Sequence, residues 1–182
     1  MALLLTCLAG YLVLAGLAIG FARRPIATPL VYGSTFILSL ILSGLAVLAM
    51  AKGPASITLP LGLPWLGAHF RLDALAAAFL LIVNFGAAGV SLYALGYGEH
   101  EPEPGRVLPF YPVFLAAMNL VVIAADAYSF LLAWELMSLA SWALVVARHR
   151  TAGNLRAGYI YLLMASAGTF ALLFCFGLLA GT

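Results

Sequence analysis

Six long apolar runs dominate this chain of 182 residues and limit what it can fold into. A helix needs about 20 mostly apolar residues to cross the hydrocarbon core of a bilayer. Hydrophobic residues make up 65% of the chain and charged residues 8%, and the mean hydropathy is +1.14. These values exclude a soluble globular class. The runs lie at about residues 2–21, 29–50, 74–96, 108–125, 128–147 and 156–180.

Short connections between the runs favour helices throughout, because backbone groups in lipid must be paired within the protein. We therefore predict an all-α fold, a polytopic bundle of about six transmembrane helices in which residues 1–182 form a single integral membrane domain. Residues 51–73 are the exception, since Gly53 and Pro54 end the second helix and β-type and turn residues follow. They predict a short extramembrane hairpin between helices 2 and 3, with Trp65 near the headgroups.

The basic residues predict how the helices are oriented. The second loop contains two of them, Lys52 and Arg71, and the fourth loop contains none. By the positive-inside rule, the first, third and fifth loops face the cytoplasm, and both termini lie on the outer, periplasmic side of the inner (plasma) membrane. The acidic residues 99–104 then form a solvated cytoplasmic turn. The six remaining basic residues lie in the first, third and fifth loops: Arg23, Arg24, Arg106, Arg148, Arg150 and Arg156.

Glu135 lies inside the fifth apolar run with no Lys or Arg within a helical turn. A carboxyl in the membrane is costly, which favours a functional role as a protonatable relay. The alternative is a carboxyl that makes structural hydrogen bonds in a polar bundle interior. Burial disfavours the charged form of a carboxyl and a nearby cation favours it, so a group balanced between them can exchange a proton.

Ser138 follows Glu135 at i+3, on the same helix face. Its hydroxyl could hydrogen-bond the carboxyl or a water beside it, and the alternative is a small residue that packs between helices. Asp126 precedes the same run, and we predict that it is the N-cap of this helix. The alternative is a role in the entry of protons or ions. By the same reasoning Asp73 is expected to cap the third helix, paired with Arg71.

Residues 148–150 follow the Glu135 helix at about 20 Å from Glu135, at 1.5 Å per residue. Direct pairing with Glu135 is therefore excluded, and we expect a basic anchor for anionic headgroups. His149 within this stretch could shuttle protons at the cytoplasmic entrance, because imidazole changes its charge near neutral pH.

The sequence contains no Gly-rich phosphate loop, zinc-type Cys/His cluster or nucleophile elbow, and its basic residues are too few and dispersed for nucleic acid. Cys7 and Cys175 lie within apolar runs, where packing or lipid contact is a better interpretation than a disulfide or metal site. We therefore expect no cofactor, no metal and no active site in this chain, with any enzymatic activity supplied by partners.

Residues 133–142, AWELMSLASW, resemble the fifth transmembrane helix of the antiporter-like subunits of respiratory complex I, Mrp-type sodium/proton antiporters and membrane-bound hydrogenases. The Trp-Glu-Leu-Met-Ser form is most similar to the hydrogenase-4 component B and formate hydrogenlyase subunit 3 branch. The resemblance covers nearly the whole chain as the N-terminal six-helix portion of such a subunit, although only the helix-five motif is specific. Supporting similarities are FRLDAL at 70–75, NLVVIAAD at 119–126 and AGYIYL at 157–162.

This resemblance implies that Glu135 works with a lysine on a broken seventh helix as a proton-transfer pair. The lysine cannot be carried over, because the chain has six predicted helices and no intramembrane Lys. We therefore expect either the amino-terminal portion of a longer subunit or a short subunit whose missing helices come from another chain.

The predicted function is a proton-translocating membrane subunit of a multisubunit oxidoreductase, of the hydrogenase-4, formate hydrogenlyase or NADH:quinone oxidoreductase-like type. Its partners would be other membrane and peripheral subunits of a redox complex, together with the lipid bilayer. Two alternatives stay open. One is a non-conducting structural anchor subunit, and the other is an Mrp-type cation/proton antiporter subunit.

Overall fold

The computed structural model describes residues 1–21, 24–60, 67–98, 101, 103–150 and 153–180. All six predicted helices are present and confirm the all-α membrane fold, and a β-hairpin joins the second to the third as predicted. Trp65, Arg23 and part of the acidic stretch (99, 100 and 102) lie outside the described residues. The elements are α1 (Ala2–Phe21), α2 (Ala27–Lys52), β1 (Ala55–Leu59), β2 (Ala68–Leu72), α3 (Ala74–Tyr97), α4 (Phe110–Ile123), α5 (Ala127–Val145) and α6 (Asn154–Ala180).

The described helices include 6 that are long and apolar enough to cross a membrane, with α4 counted from the 3-10 turn at Pro104–Arg106 that precedes it. The protein is therefore a multi-pass membrane protein. Helix α2 ends at Lys52, where Gly53 takes a φ of 80°. This left-handed conformation is easy for glycine alone, which explains why the helix stops there.

The helices pack in an order that leaves α6 at the periphery. Helix α1 contacts α2 and α4, α2 contacts α3 along most of its length, and α5 lies between α4 and α6. Helix α3 can pack closely against α2 because most of its buried residues have small side chains, which let the two backbones approach. These small residues include Ala77, Ala87, Ala88 and Ser91. Helices α1 to α4 therefore enclose the core, and α5 and α6 lie outside it.

The hairpin covers one end of this core. Strands β1 and β2 are antiparallel, with Ile57 opposite Phe70 and Thr58 opposite His69. Phe70 and Leu72 are buried in the core cluster, and the backbone N–H of Ala125 donates to the His69 carbonyl at 2.9 Å. An isolated two-stranded hairpin is marginally stable, so its contacts with the core and the α4–α5 junction hold it in place.

The opposite end carries an ion-pair network between the α3–α4 and α5–α6 connections. Arg148 Nη2 lies 2.6 Å from Glu101 Oε2, and Arg106 Nε and Arg150 Nη2 lie 2.7 and 3.6 Å from the Glu103 carboxylate. Both described glutamates of the predicted solvated turn, Glu101 and Glu103, pair with arginines. The headgroup anchor predicted at 148–150 is likewise partly neutralised from within the protein.

Gly158 allows α6 to lie against α5. A Cβ at this position would overlap the Val146 side chain and reach ordinary contact distance from the Trp142 indole. It is also the buried residue of α6 in the described structure. Glycine at this position therefore lets the start of α6 lie close to α5.

Gly158→Ala is expected to weaken the α5–α6 contact and to lower the stability of the protein by about 1–3 kcal/mol, the usual cost of overpacking. Thermal unfolding of the detergent-solubilised protein measures this change. Gly168→Ala is the matched control, because a Cβ there meets nothing within 4 Å. Equal losses of stability in the two variants would contradict the packing role of Gly158.

Candidate functional site

Glu135 lies near the middle of α5, about 12 Å from the start of the helix and about 15 Å from its end, at 1.5 Å per residue. The residue is half-buried. In the part of the chain that the structure describes, no group forms a hydrogen bond or an ion pair with its carboxylate. An intramembrane carboxyl without a partner is costly, and such groups usually mark functional positions.

Ser138 and Trp142 follow on the same face of α5 as Glu135, at i+3 and i+7. Trp142 lies beside Gly158, so this face is turned toward α6. Ser138 is 3% exposed, but no hydrogen bond joins its hydroxyl to Glu135 among the described residues. The role of Ser138 in proton transfer stays a prediction.

Aromatic side chains form the other contact between α5 and α6. Phe130 stacks on Trp134 with ring centroids 5.9 Å apart and meets Phe176 of α6 edge-on at 6.0 Å. The indole N–H of Trp134 is buried and has no acceptor among the described residues. Glu135 therefore lies between two α5–α6 contacts, one near each end of α5.

Asp126 caps α5, as the sequence predicts. Its Oδ1 accepts from the backbone N–H of Ser129 at 2.7 Å, and its Oδ2 accepts from the backbone N–H of His69 at 2.8 Å. Burial raises the pKa of Asp126, but the hydrogen bonds from Ser129 and His69 outweigh this effect, and the net pKa is lowered. Asp126 is thus an ionised cap that also holds the hairpin, and its role in proton entry stays a prediction.

Asp73 caps α3 in the predicted way. Its Oδ1 accepts from the backbone N–H of Ala76 at 2.9 Å, and its Oδ2 lies 3.6 Å from Arg71 Nε. Both parts of the prediction, the cap and the pairing with Arg71, are confirmed.

His149 lies at the end of the molecule opposite Asp126. Its Nδ1 is 2.9 Å from Arg106 Nη1. A guanidinium group only donates hydrogen bonds, so this contact requires a neutral imidazole with its proton on Nε2. The four predicted site residues are therefore separated, because Asp126 and His149 occupy opposite ends and only Glu135 and Ser138 share a helix face.

A buried polar network that the sequence analysis did not predict joins α1, α2, α3 and α4. Asn84 Nδ2 donates to Asn119 Oδ1 at 2.6 Å. The Tyr11 hydroxyl lies 2.7 Å from Ser39 Oγ and donates to Asn84 Oδ1 at 3.4 Å. All four side chains are 0% exposed. The network therefore connects four helices inside the core.

A second group of polar side chains lies one or two turns along the same helices. The Thr35 and Ser91 hydroxyls are 3.2 Å apart, and the Ser91 and Tyr111 hydroxyls are 2.9 Å apart. Thr35 precedes Ser39 by four residues on α2, so the two groups share helix faces. The hydroxyls and amides of both groups are neutral. We therefore expect them to hold the helices in position rather than to transfer charge.

The sequence feature that could have indicated this network is the position of the asparagines. The chain has three, and only Asn84 and Asn119 fall inside apolar runs. A carboxamide in an apolar environment is costly unless it is hydrogen-bonded. Two of them in separate spanning runs therefore indicate that the two helices meet at these positions.

No group of three or more His, Cys, Asp or Glu side chains that could hold a metal ion occurs within the described ranges. Cys7 is buried in α1, and Cys175 is exposed on α6.

Comparison with known proteins identifies relatives of this chain, although no protein-family model matches it. An uncharacterized protein of Mycobacterium tuberculosis is 41% identical over 112 residues, 61% of this chain and 17% of that protein. Hydrogenase-4 component B of Escherichia coli is 32% identical over 108 residues, 58% of this chain and 16% of that protein. The chain is similar to the antiporter-like membrane subunits of respiratory complexes. The resemblance predicted from the helix-five motif is thus confirmed.

More distant relatives agree with this family of antiporter-like subunits. NADH-ubiquinone oxidoreductase chain 5 of Arabidopsis thaliana is 28% identical over 114 residues, 59% of this chain and 17% of that protein. A chain of the membrane-bound sulfane sulfur reductase, an archaeal respiratory membrane complex, has a TM-score of 0.73 at 16% identity, over 92% of this chain and 34% of that one. That likeness shows the fold. This chain spans about a sixth of the length of the first relatives it matches.

A double-mutant cycle between Asn84→Ala and Asn119→Ala tests the buried network. Interhelical hydrogen bonds in membrane proteins average about 0.6 kcal/mol and reach about 1.7 kcal/mol, and we expect a coupling free energy of unfolding in that range. Reversible unfolding in mixed micelles measures it. Ser43→Ala combined with Asn119→Ala is the control, because Ser43 donates to the Ser39 carbonyl of its own helix. Strictly additive effects of the two asparagine substitutions would contradict the network.

Proposed function

We propose that this chain is a proton-translocating membrane subunit of a multisubunit oxidoreductase, of the hydrogenase-4, formate hydrogenlyase or NADH:quinone oxidoreductase-like type, with Glu135 as a proton relay. The observation that carries the proposal is the half-buried carboxyl of Glu135 at mid-helix, without a hydrogen-bond or ion-pair partner among the described residues. Similarity to hydrogenase-4 component B and NADH-ubiquinone oxidoreductase chain 5 supports the same class.

The physics of a membrane interior explains how such a carboxyl can couple to distant chemistry. Two charges at 4 Å interact by about 1 kcal/mol in water and by about 4 kcal/mol at an effective dielectric constant of 20. A cation that approaches Glu135 stabilises the carboxylate and releases its proton, and a cation that leaves reverses the change. Redox events in partner subunits would move such a charge.

The proposal includes the partners and the location. The partners are other membrane and peripheral subunits of a redox complex, and the cofactors belong to them. The chain lies in the inner membrane as one integral domain, residues 1–182, with both termini on the outer side. This orientation requires the third and fifth loops to lie on the same side of the membrane. The ion pair between Glu101 of the third loop and Arg148 of the fifth loop supports this requirement.

Two alternatives lead to different measurements. Two observations favour a structural anchor. Asn84 and Asn119 hydrogen-bond each other within the protein, and no cation lies beside Glu135 among the described residues. An Mrp-type cation/proton antiporter subunit would make proton movement dependent on sodium.

Glu135→Gln in the intact complex tests the proposal. Glutamine keeps the shape and the hydrogen-bonding capacity of the side chain but cannot ionise. Loss of a positioned proton-transfer group reduces rates by about 10²–10⁴, so we expect proton movement per redox turnover in sealed vesicles to fall at least about tenfold. Assembly of the complex, measured by subunit composition, should not change.

Glu103→Gln is the matched control, because it makes the same chemical change at an exposed turn where Glu103 pairs with Arg106. It should leave proton movement at the native level. Native proton movement in Glu135→Gln would overturn the relay and favour the anchor. Loss of proton movement on removing sodium from the native complex would favour the cation/proton antiporter.

A further inference from the structure

Two buried polar atoms lie beside the cap of α5 without a direct hydrogen bond among the described residues. They are His69 Nδ1 and Ser129 Oγ, and the Ser129 hydroxyl is close enough to the Asp126 carboxylate to help lower its pKa. Ser129 is 5% exposed as a whole residue, and both atoms belong to residues whose backbone N–H groups already bind the Asp126 carboxylate. An unsatisfied buried polar group requires an explanation, and an ordered water or ion is the usual one.

The gap between the His69 imidazole and the Asp126 carboxylate can be bridged by a water. His69 Nδ1 is 3.8 Å from Asp126 Oδ2, beyond direct hydrogen-bond distance. The carboxylate has about four acceptor sites, and backbone groups use two of them. A water could accept from the Nδ1–H group of His69 and from the Ser129 hydroxyl, and donate to Asp126. These three bonds are the usual number for a buried water.

The His69 side chain connects this position to the outside. It is 45% exposed, whereas the Asp126 side chain is 14% exposed, and the buried atom of the imidazole is Nδ1. The ring therefore has one nitrogen on the Asp126 side and exposed surface elsewhere. An imidazole placed in this way can accept a proton at one nitrogen and release one from the other.

We propose that His69, Asp126 and Ser129 form a hydrated proton-exchange site at the hairpin end of α5, in which a single water bridges the three side chains. A proton from solvent binds the exposed nitrogen of His69, the proton on Nδ1 passes to the water, and the water passes one of its own protons to the Asp126 carboxylate. The Asp126 carboxylate stabilises the imidazolium and receives the proton that the water releases, so no hydronium ion is left behind. No bond other than those to the moving protons changes.

The charges around the imidazole support this assignment. Asp126 faces it from α5, and Arg71, the other exposed residue of β2, is paired with Asp73 at the start of α3. Thr58 is the β1 residue opposite His69, and the end of α4 contributes the uncharged Ala124. Among the described residues, the Asp126 carboxylate is therefore the unpaired charge that faces the imidazole.

The link from this site to Glu135 rests on the proposed function. The distance along α5 from Asp126 to Glu135 is about 13 Å. The site would supply or remove protons on the outer side for the relay carboxyl. The exchange itself depends only on the three side chains and the water.

His69→Gln in the intact complex tests the site. We expect proton movement in sealed vesicles to slow about tenfold or more, and imidazole added on the outer side to restore it. Restoration by a small base distinguishes proton exchange from a structural role, which imidazole cannot replace. Arg71→Gln, on the same face of β2, is the matched control and should keep the native rate.

The native rate in His69→Gln, or a loss that imidazole does not restore, would overturn the proposal. A second measurement requires no variant. A cryo-EM map of the native complex that resolves waters elsewhere should show a water within hydrogen-bond distance of His69 Nδ1, Ser129 Oγ and Asp126. A dry site in that map would also overturn it.

These outcomes are distinguishable from failure of the proposed function. If Glu135→Gln stops proton movement and His69→Gln does not, only the outer site is wrong. If Glu135→Gln leaves proton movement unchanged, the relay is wrong, and the water density still tests the site at His69.

Discussion

A polar group inside a lipid bilayer has no water to bind, so it costs roughly several kcal/mol unless the protein supplies a partner. The arrangement of α1 to α4 depends on this constraint. Asn84 and Asn119 satisfy each other across two helices and use carbonyls of their own helices for the remaining N–H groups. Tyr11 and Ser39 extend the network to α1 and α2. A shift of any of these helices by one turn would leave buried amides unpaired, which favours a single packing.

The same constraint makes Glu135 the exceptional residue of the described bundle. The other described carboxylates lie near helix ends or in loops, where backbone N–H groups or arginines bind them. Glu135 lies at mid-helix, between the Gly158 and Phe176 contacts of α6, without such a partner. A carboxyl of this kind responds strongly to an approaching charge because the surrounding dielectric is low. This sensitivity is what a proton relay requires.

Hydropathy and capping residues predicted the fold well, because run length determines which segments span and Asp73 and Asp126 mark helix starts. The hairpin followed from Gly53 and the turn residues after it. Tertiary pairing could not be predicted in the same way. The contact of Asn84 with Asn119 and the ion pairs of Glu101 and Glu103 depend on which helices are neighbours, and periodicity contains no such information. Glu135 was selected as a candidate from its cost in lipid, whereas His69, which only the proposed exchange site uses, was not, because a histidine in a hairpin carries no such signal.

The most direct test of the account is the protonation of Glu135 in the working complex. Infrared difference spectroscopy of the native complex, recorded between its oxidised and reduced states, detects the carbonyl stretch of a protonated carboxyl. We predict a band that appears or disappears with the redox change and is absent from the Glu135→Gln complex. A spectrum in which native and Glu135→Gln complexes show the same carboxyl bands would contradict the account, because Glu135 would then keep one protonation state throughout turnover.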